Sequence, residues 1–372
     1  MDVESMLSAI RIAARRRLEA LWRLMEVYGL DAVVLFEGDG VGCRFALTQH
    51  FDAVVVTRSE VVVLAGPALY GLAVEESPWR VVLVENLVPA ELSRAVMRVV
   101  GEGRGLRLGI NKMWGRTKVS FLHIDALEAL RSVGVEIVDA TPLLEQVFSV
   151  LMSEELRIVE WLSRAASRAL EAVCERLEPG VRECELAAEA DRVLDEHGIV
   201  DRWFPTMVVS GPRAAAPHAK TSSKRVESGE PVIVDVGPVW MGYDGCVAHT
   251  FVVGQSSRWR EIVEAVAEAL REGLKHARPG TPAKVLNEVP RRVLRDRGLE
   301  DYPHLSGHPI AGLYRPVIAS FVSYSLEEGM AFAYEPATYI PRQGGARIEP
   351  HILITESGPR ILTDIHREIL TT

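Results

Sequence analysis

At 372 residues the chain is too long for one ordinary domain, which sets an expectation of two. Its net charge of −9 argues against a general nucleic-acid binder, because counterion release needs concentrated basic surface. Hydrophobic residues make up 48 % of the chain, enough for a large core, yet no apolar run reaches membrane-spanning length without charges.

The first residues mix acids with arginines and contain no signal-peptide apolar stretch. The reading is a cytoplasmic protein with no membrane or nucleic-acid partner. Cys43, Cys174, Cys184 and Cys246 are far apart and show no C-x-x-C spacing, which gives neither a disulfide framework nor a zinc knuckle. Three asparagines fit a thermophile, while six lysines among 42 basic residues equally fit GC-rich coding.

Residues 4–28 carry Met6, Ile10, Ile12, Leu18, Leu21, Leu24 and Met25 at three- and four-residue steps. That spacing predicts an amphipathic helix with arginines on its outer face, closed near Gly29. Short β-rich runs follow: DAVVLFEG, FDAVVVTRSEVVVLAG with a hairpin turn at Glu60, and WRVVLVENL. Residues 90–101 and 120–134 read as helices beside the strands LRLGIN and VEIVDAT. Alternation of this kind over about 150 residues predicts a small mixed α/β domain. GEGRGLRLG is glycine-spaced but precedes a strand, the wrong order for a dinucleotide loop.

A second long helix, over 153–178 with Ser153 as its N-cap and Pro179-Gly180 as its stop, opens the second domain. The domains are therefore 1–152 and 153–372. Helix 182–197, the strand TMVVSG and a polar loop from Pro212 to Gly229 come next. Pro231–Val236 and Cys246–Val253 read as an antiparallel hairpin with a long glycine-rich connection. Helices 257–277 and 281–298 lead to DYPHLSGHPIAGLYRP, and MAFAYEPATYI and ARIEPHILITESG close the chain as strands. The helix–helix–hairpin order of 153–254 recurs over 257–355, which predicts two similar halves.

Four polar residues interrupt buried-looking runs. Asp235 lies inside an apolar strand, where a lone carboxylate is costly unless a cation binds it. The others are His308 in LSGHPI, Glu335 in AFAYEP and Glu349 in ARIEPHILI. Singly each has a bland explanation: Glu335 ends a strand before a proline, Glu349 pairs with Arg347 across an edge, His308 is a satisfied polar residue. Together, three carboxylates and an imidazole make a hard, oxygen-rich site for Mn, Co, Fe or Zn. Such an ion acidifies water and polarises a carbonyl.

The segments SEELRIVEWLSRAA, MVVSGPRAAAPHA, PVIVDVGPVWMGYDG, LSGHPIAG, GMAFAYEP and ARIEPHILITESG occur in one order between Glu154 and Leu362. In order and local sequence they resemble the pita-bread metallopeptidases, the family of methionine aminopeptidase, aminopeptidase P, prolidase and creatinase. The residues before them resemble the N-terminal domain of the prolidase and creatinase branch. The fold this implies is α/β (α+β): a C-terminal pita-bread domain preceded by a smaller mixed α/β creatinase-type domain. The resemblance also implies metal ligands at Asp235, His308, Glu335 and Glu349, with Glu335 assisting proton transfer. It makes His218, in AAAPHAK, the imidazole that contacts substrate or stabilises the tetrahedral intermediate. A small peptide substrate with proline after the scissile bond, and a homodimer, follow from the same source.

This sequence departs from that pattern at several points. The family's second aspartate, eleven residues after the first, is Cys246 here. Asp244 should share its face of the strand but lies one pleat repeat away, and His249 should face the other side. The family pattern H-G-x-G-x-x-x-H-E-x-P reads HPIAGLYRP, which brings in Pro309, Ala311, Arg315 and Pro316. Pro350 follows Glu349 where the family usually has an acid. Ligand counting leaves one position with His308, Glu335, Glu349 and Cys246, a set that suits Zn. The other position keeps Asp235 and a share of Glu349, too little to hold an ion tightly. The expected cofactor is one divalent metal (Zn, Mn or Co) per chain, or none.

Catalytic candidates are His218, Glu335 and Arg315, the last as a bidentate partner for a substrate carboxylate. Cys246 can also be simply a small buried hydrophobe. The leading reading is an Xaa-Pro peptidase with an altered, mononuclear site. A creatinase-like metal-independent C–N hydrolase and an inactive binding protein on the same fold stay open.

Overall fold

The structure is a computed structural model that describes residues 3–36, 41–86, 88–101, 105–110, 124–311 and 317–371. The chain forms two compact units that divide in sequence between Glu155 and Leu156.

The first unit runs α1 (Val3–Tyr28), β1 (Ala32–Phe36), α2 (Val41–Ala46), β2 (Ala53–Thr57), β3 (Val61–Ala65), α3 (Tyr70–Glu76), β4 (Arg80–Leu83), α4 (Pro89–Val100), β5 (Arg107–Ile110), α5 (Ile124–Ser132), β6 (Glu136–Asp139) and α6 (Thr141–Val147). Its sheet has the order β4-β3-β2-β1-β5-β6, with β2 antiparallel to both neighbours and the other pairs parallel. Leu18, Leu21 and Met25 of α1 and Leu143 of α6 pack on one face against Val33, Leu35, Val54 and Val56. Ala95 and Val96 of α4 and Leu130 of α5 pack on the other against Ala32, Val34 and Val55. Burial on both faces explains why AVVLF and VVVLA are unbroken apolar runs.

Four details differ from the sequence reading. Ile12 is 45 % exposed, and Arg17 points inward at 2 % exposure. Arg17 is held there by Glu155, which also pairs with Arg44; both guanidiniums stack on Phe148, at 4.5 and 4.7 Å from its centroid. An arginine on a helix face is inward when a buried carboxylate waits for it, and helical periodicity carries no sign of that partner. Ser153 is not an N-cap: its hydroxyl meets Glu154 (3.0 Å), while Glu155 reaches back to the Met152 N–H (2.9 Å). The short helices α2, α3 and α6 were not foreseen, being too short to show a period.

Helix α7 (Ser153–Glu175) leads into the second unit, which continues α8 (Glu183–Glu196), β7 (Asp201–Arg202), β8 (Met207–Ser210), a 3-10 turn over Gly211–Ala215, β9 (Pro231–Val236), β10 (Pro238–Trp240), β11 (Tyr243–Asp244) and β12 (Val247–Val252). Then come α9 (Ser257–Leu274), α10 (Lys284–Asp296), β13 (Gly307–Pro309), β14 (Ala331–Tyr334), β15 (Ala337–Ile340), β16 (Gly344–Arg347), β17 (His351–Thr355), β18 (Gly358–Ile361) and α11 (Asp364–Thr371). Two main antiparallel sheets have the orders β12-β9-β8 and β13-β14-β17-β18, with smaller sheets β11-β10-β7 and β15-β16. The long connection of the central hairpin is thus a small hairpin itself.

The two halves of this unit repeat at a spacing of one hundred residues. Gly180 N–H bonds the Val226 carbonyl and Gly280 N–H that of Leu326, each at 2.8 Å. Bridges join Arg182 to Arg225 and Pro282 to Ser325. Gly198 (φ +77°) and Gly298 (φ +73°) close α8 and α10 in the left-handed region where glycine is favoured. By the same offset Asp235 near the end of β9 matches Glu335 just after β14. The repeat is one of backbone geometry rather than of side chains.

Each of the last two predicted strands breaks at a Glu-Pro step. Glu335-Pro336 separates β14 from β15, and Glu349-Pro350 separates β16 from β17, the parts joining different sheets. A proline cannot donate to a ladder, so both glutamates stand where the pairing changes. No helix among the described residues is long and apolar enough to cross a membrane.

Candidate metal centre

On β9, Asp235 pairs with Met207 of β8 on one side and Ala248 of β12 on the other, and Ala248 bridges onward to Glu349. Opposed residues of a ladder share a face, so the two carboxylates rise on one side of the row with a single methyl group between them. His308 arrives from the other sheet, on edge strand β13, opposite Ala333. Pro309 is accommodated there because an edge strand has no need of its missing N–H. Ala311 keeps φ at +59°, the conformation a glycine would take without strain.

Among the described residues, Cys246, His308 and Glu349 bring one donor atom each within 4.8 Å of one another. Asp235 and Glu335 stand outside this group. His308 Nδ1 lies 2.9 Å from the Pro309 carbonyl and so carries the ring proton. Its Nε2 lies 3.6 Å from Glu349 Oε1, and a proton or a cation between the two atoms would serve both. Asp235 Oδ1 is buried with no hydrogen-bond partner, a second feature that suits the place to a cation. A thiol that ionises on binding, an imidazole and a carboxylate form an N, O, S donor set that would hold a divalent ion. The residues fit the ion.

The electrostatics agree. Asp235, Glu335 and Glu349 are all buried, and one buried guanidinium, Arg347, serves them. It donates through Nη2 to Asp235 and through Nη1 to the Pro217 carbonyl (3.3 Å), with Nε 3.5 Å from Glu349 Oε2. Burial raises the Asp235 carboxyl to about 7, against the pull of Arg347. Burial and then the Glu349 charge lift Glu335 well above the carboxylate range. Glu349 stays low despite burial, held by His308 and Arg347. The Cys246 thiol is pushed far up by burial and then by the charges of Glu349, Asp235 and Glu335. A bound cation inverts that logic and deprotonates a coordinating thiol.

His218 lies in the exposed turn after the 3-10 segment, next to the Pro217 carbonyl that Arg347 holds. Burial of its ring and the Arg347 charge lower its pKa, and Glu349 opposes them. His249 faces away from the centre, its ring 4.8 Å from Phe251 and 5.4 Å from His366. Asp244 is buried but is not one of the three converging donors. Arg315 and Pro316 lie outside the described residues.

Sequence reasoning missed three participants. Arg347 was weighed only as a partner of Glu349 across an edge. His304 puts Nδ1 3.5 Å from Glu335 Oε2 and 2.7 Å from the Leu305 carbonyl, and Nε2 2.9 Å from the Tyr339 hydroxyl. Burial and then Arg347 lower its pKa to about 3, so the ring is neutral. Trp203 places its ring 5.2 Å from that of His308. The one available signal was spacing: His304 lies four residues before His308, and Arg347 two before Glu349.

A thiol, an imidazole and a carboxylate converging from the two repeated halves are the kind of donor set that metal-dependent hydrolases use. The chain belongs to metallopeptidase family M24, whose sequence model matches residues 160–356. Its fold is the pita-bread fold preceded by a mixed α/β unit, and it is a peptidase. It is 32 % identical over 360 residues to an Xaa-Pro dipeptidase of Pyrococcus horikoshii, covering 95 % of this chain and 98 % of that protein. It is 37 % identical over 221 residues to an Xaa-Pro dipeptidase of Pyrococcus furiosus, a match that spans 58 % of this chain and 64 % of that protein's length. The solved prolidase of Pyrococcus furiosus superposes with a TM-score of 0.80 at 28 % identity, covering 92 % of this chain and 99 % of the other.

Proposed function

We propose that the chain is an Xaa-Pro peptidase of the prolidase or aminopeptidase P type, cleaving small peptides at the bond before proline with one divalent ion per chain. The observation that carries this reading is the approach of Cys246, His308 and Glu349 within 4.8 Å, in a chain 32 % identical to an Xaa-Pro dipeptidase over nearly its whole length. Those three residues would hold the ion, and the thiolate favours Zn over Mn or Co. When bound, the ion supplies Lewis acidity to the scissile carbonyl and lowers the pKa of water.

The other roles fall to side chains. Glu335, whose raised pKa makes its carboxylate a stronger base, takes a proton from the attacking water and then gives that proton to the leaving nitrogen. Arg347 fixes Asp235 and steadies Glu349. His218, in its exposed turn, contacts the substrate, and Arg315 takes a substrate carboxylate. The same proposal has residues 1–152 and 153–372 as the two domains of a homodimer in the cytoplasm of a thermophile.

The test is a panel of Xaa-Pro dipeptides against matched Xaa-Ala dipeptides, with Zn, Mn or Co added to metal-stripped protein. Preference for proline, lost in Glu335→Gln, supports the reading. No cleavage with any of the three ions refutes it.

A further inference from the structure

Beyond the Ala248–Glu349 bridge, the ladder between β12 and the final strands stops. Pro350 has no N–H to offer, and its carbonyl takes the Tyr334 N–H instead, at 3.0 Å. The next residue, His351, is 1 % exposed. A methyl group built on Gly245 would sit 2.2 Å from Cε1 and 2.4 Å from Nε2 of that ring. The imidazole edge therefore rests against the Cα immediately before Cys246.

The other side of the ring is anchored. Nδ1 lies 2.8 Å from Ser163 Oγ on α7. Ser163 Oγ also lies 2.7 Å from the Val159 carbonyl, which ties the pair to α7. The opposite edge of the ring, with Nε2, is buried against the Gly245–Cys246 turn and interacts with the Cys246 backbone.

We propose that His351 is the positioning residue for Cys246. Fixed to α7 through Ser163, it wedges against Gly245 and sets the direction in which Sγ faces His308 and Glu349. This rests on the reading of Cys246 as a ligand. A carboxylate can offer either of two oxygens, whereas a cysteine has one donor atom, aimed by its backbone and χ1 alone. A thiol in this place needs firmer support behind it. Because His351 follows Glu349 by two residues and abuts residue 245, one ring spaces both ligands.

The experiment is a titration of metal-stripped protein with Co(II), read by the near-ultraviolet thiolate-to-cobalt charge-transfer band and by affinity. Wild type shows the band and Cys246→Ser loses it. His351→Ala shifts or weakens the band and lowers cobalt affinity at least tenfold, and Gly245→Ala acts in the same direction by displacing the ring. His351→Phe, which keeps the wedge, restores the band. His366→Ala, a buried histidine outside the donor set, leaves band and affinity unchanged and controls for general loosening. Should His351→Ala fail to fold, Gly245→Ala and His351→Phe still decide the matter. A wild-type band that is unaltered in His351→Ala and Gly245→Ala overturns the positioning role alone. No band in wild type overturns the ligand reading and this inference together, whatever the peptidase assay gives.

Discussion

Glu155 offers the sharpest test of the energetics. It is fully buried, paired with Arg17 and Arg44, and accepts the Met152 N–H. Burial alone would raise its pKa, but Arg44 and Arg17 outweigh burial and hold it at about 2, against a reference of 4.5. A depression of roughly 2.5 units at 1.36 kcal/mol per unit contributes about 3.4 kcal/mol. Since the folded pKa is the lower one, that stability is fully present above pH 4.5 and is lost as pH falls from 4.5 to about 2. Glu155→Gln leaves two guanidiniums buried without a counter-charge, for which the general range is about 3–5 kcal/mol. For a unit of this size the midpoint should fall by about 7–14 °C at pH 7. Differential scanning calorimetry of both proteins should also show the gap narrowing by about 2 kcal/mol at pH 3. A gap below about 1 kcal/mol at pH 7, or one that stays constant down to pH 3, would refute the reasoning.

Other outcomes follow from the second unit. Cys246→Asp should raise the metal content of dialysed protein from one ion per chain toward two and shift preference from Zn to Mn or Co, read by elemental analysis. Glu335→Gln should lower kcat by about 10²–10⁴-fold while that metal content stays unchanged. Arg347→Met strands Asp235 and Glu349 without their cation and should destabilise metal-free protein by about 3–5 kcal/mol, with added Zn recovering more of the loss than it adds to wild type. His249 is buried and neutral, its pKa lowered by burial to about 4 from 6.5. Its unfolded form binds a proton first, so stability is full above pH 6.5 and declines toward pH 4. His249→Phe should flatten that limb of the stability–pH curve in denaturant titrations, and an unchanged slope would rule the assignment out.

Much of the fold was legible because burial writes itself into a sequence as a period. The three- and four-residue steps of α1, the glycines closing α8 and α10, and the β-branched runs of β1 to β3 are local signals, and local chemistry decides them. Family motifs supplied Asp235, His308, Glu335 and Glu349, and the place where Cys246 stands for an acid. The inward turn of Arg17 was not legible, because its partner is 138 residues away. Arg347 shares that difficulty, bonding a carboxylate 112 residues distant.

By itself, the sequence determined the longer helices and strands and which residues can bear a charge or bind a metal. Tertiary structure alone decided which of those residues meet. It set Cys246, His308 and Glu349 together, gave Asp235 to Arg347, and turned His249 away from the centre. The reason is physical. Helix and strand follow from neighbours a few bonds apart, whereas a buried ion pair or donor set exists only once distant segments have closed and excluded the water that would otherwise solvate each group.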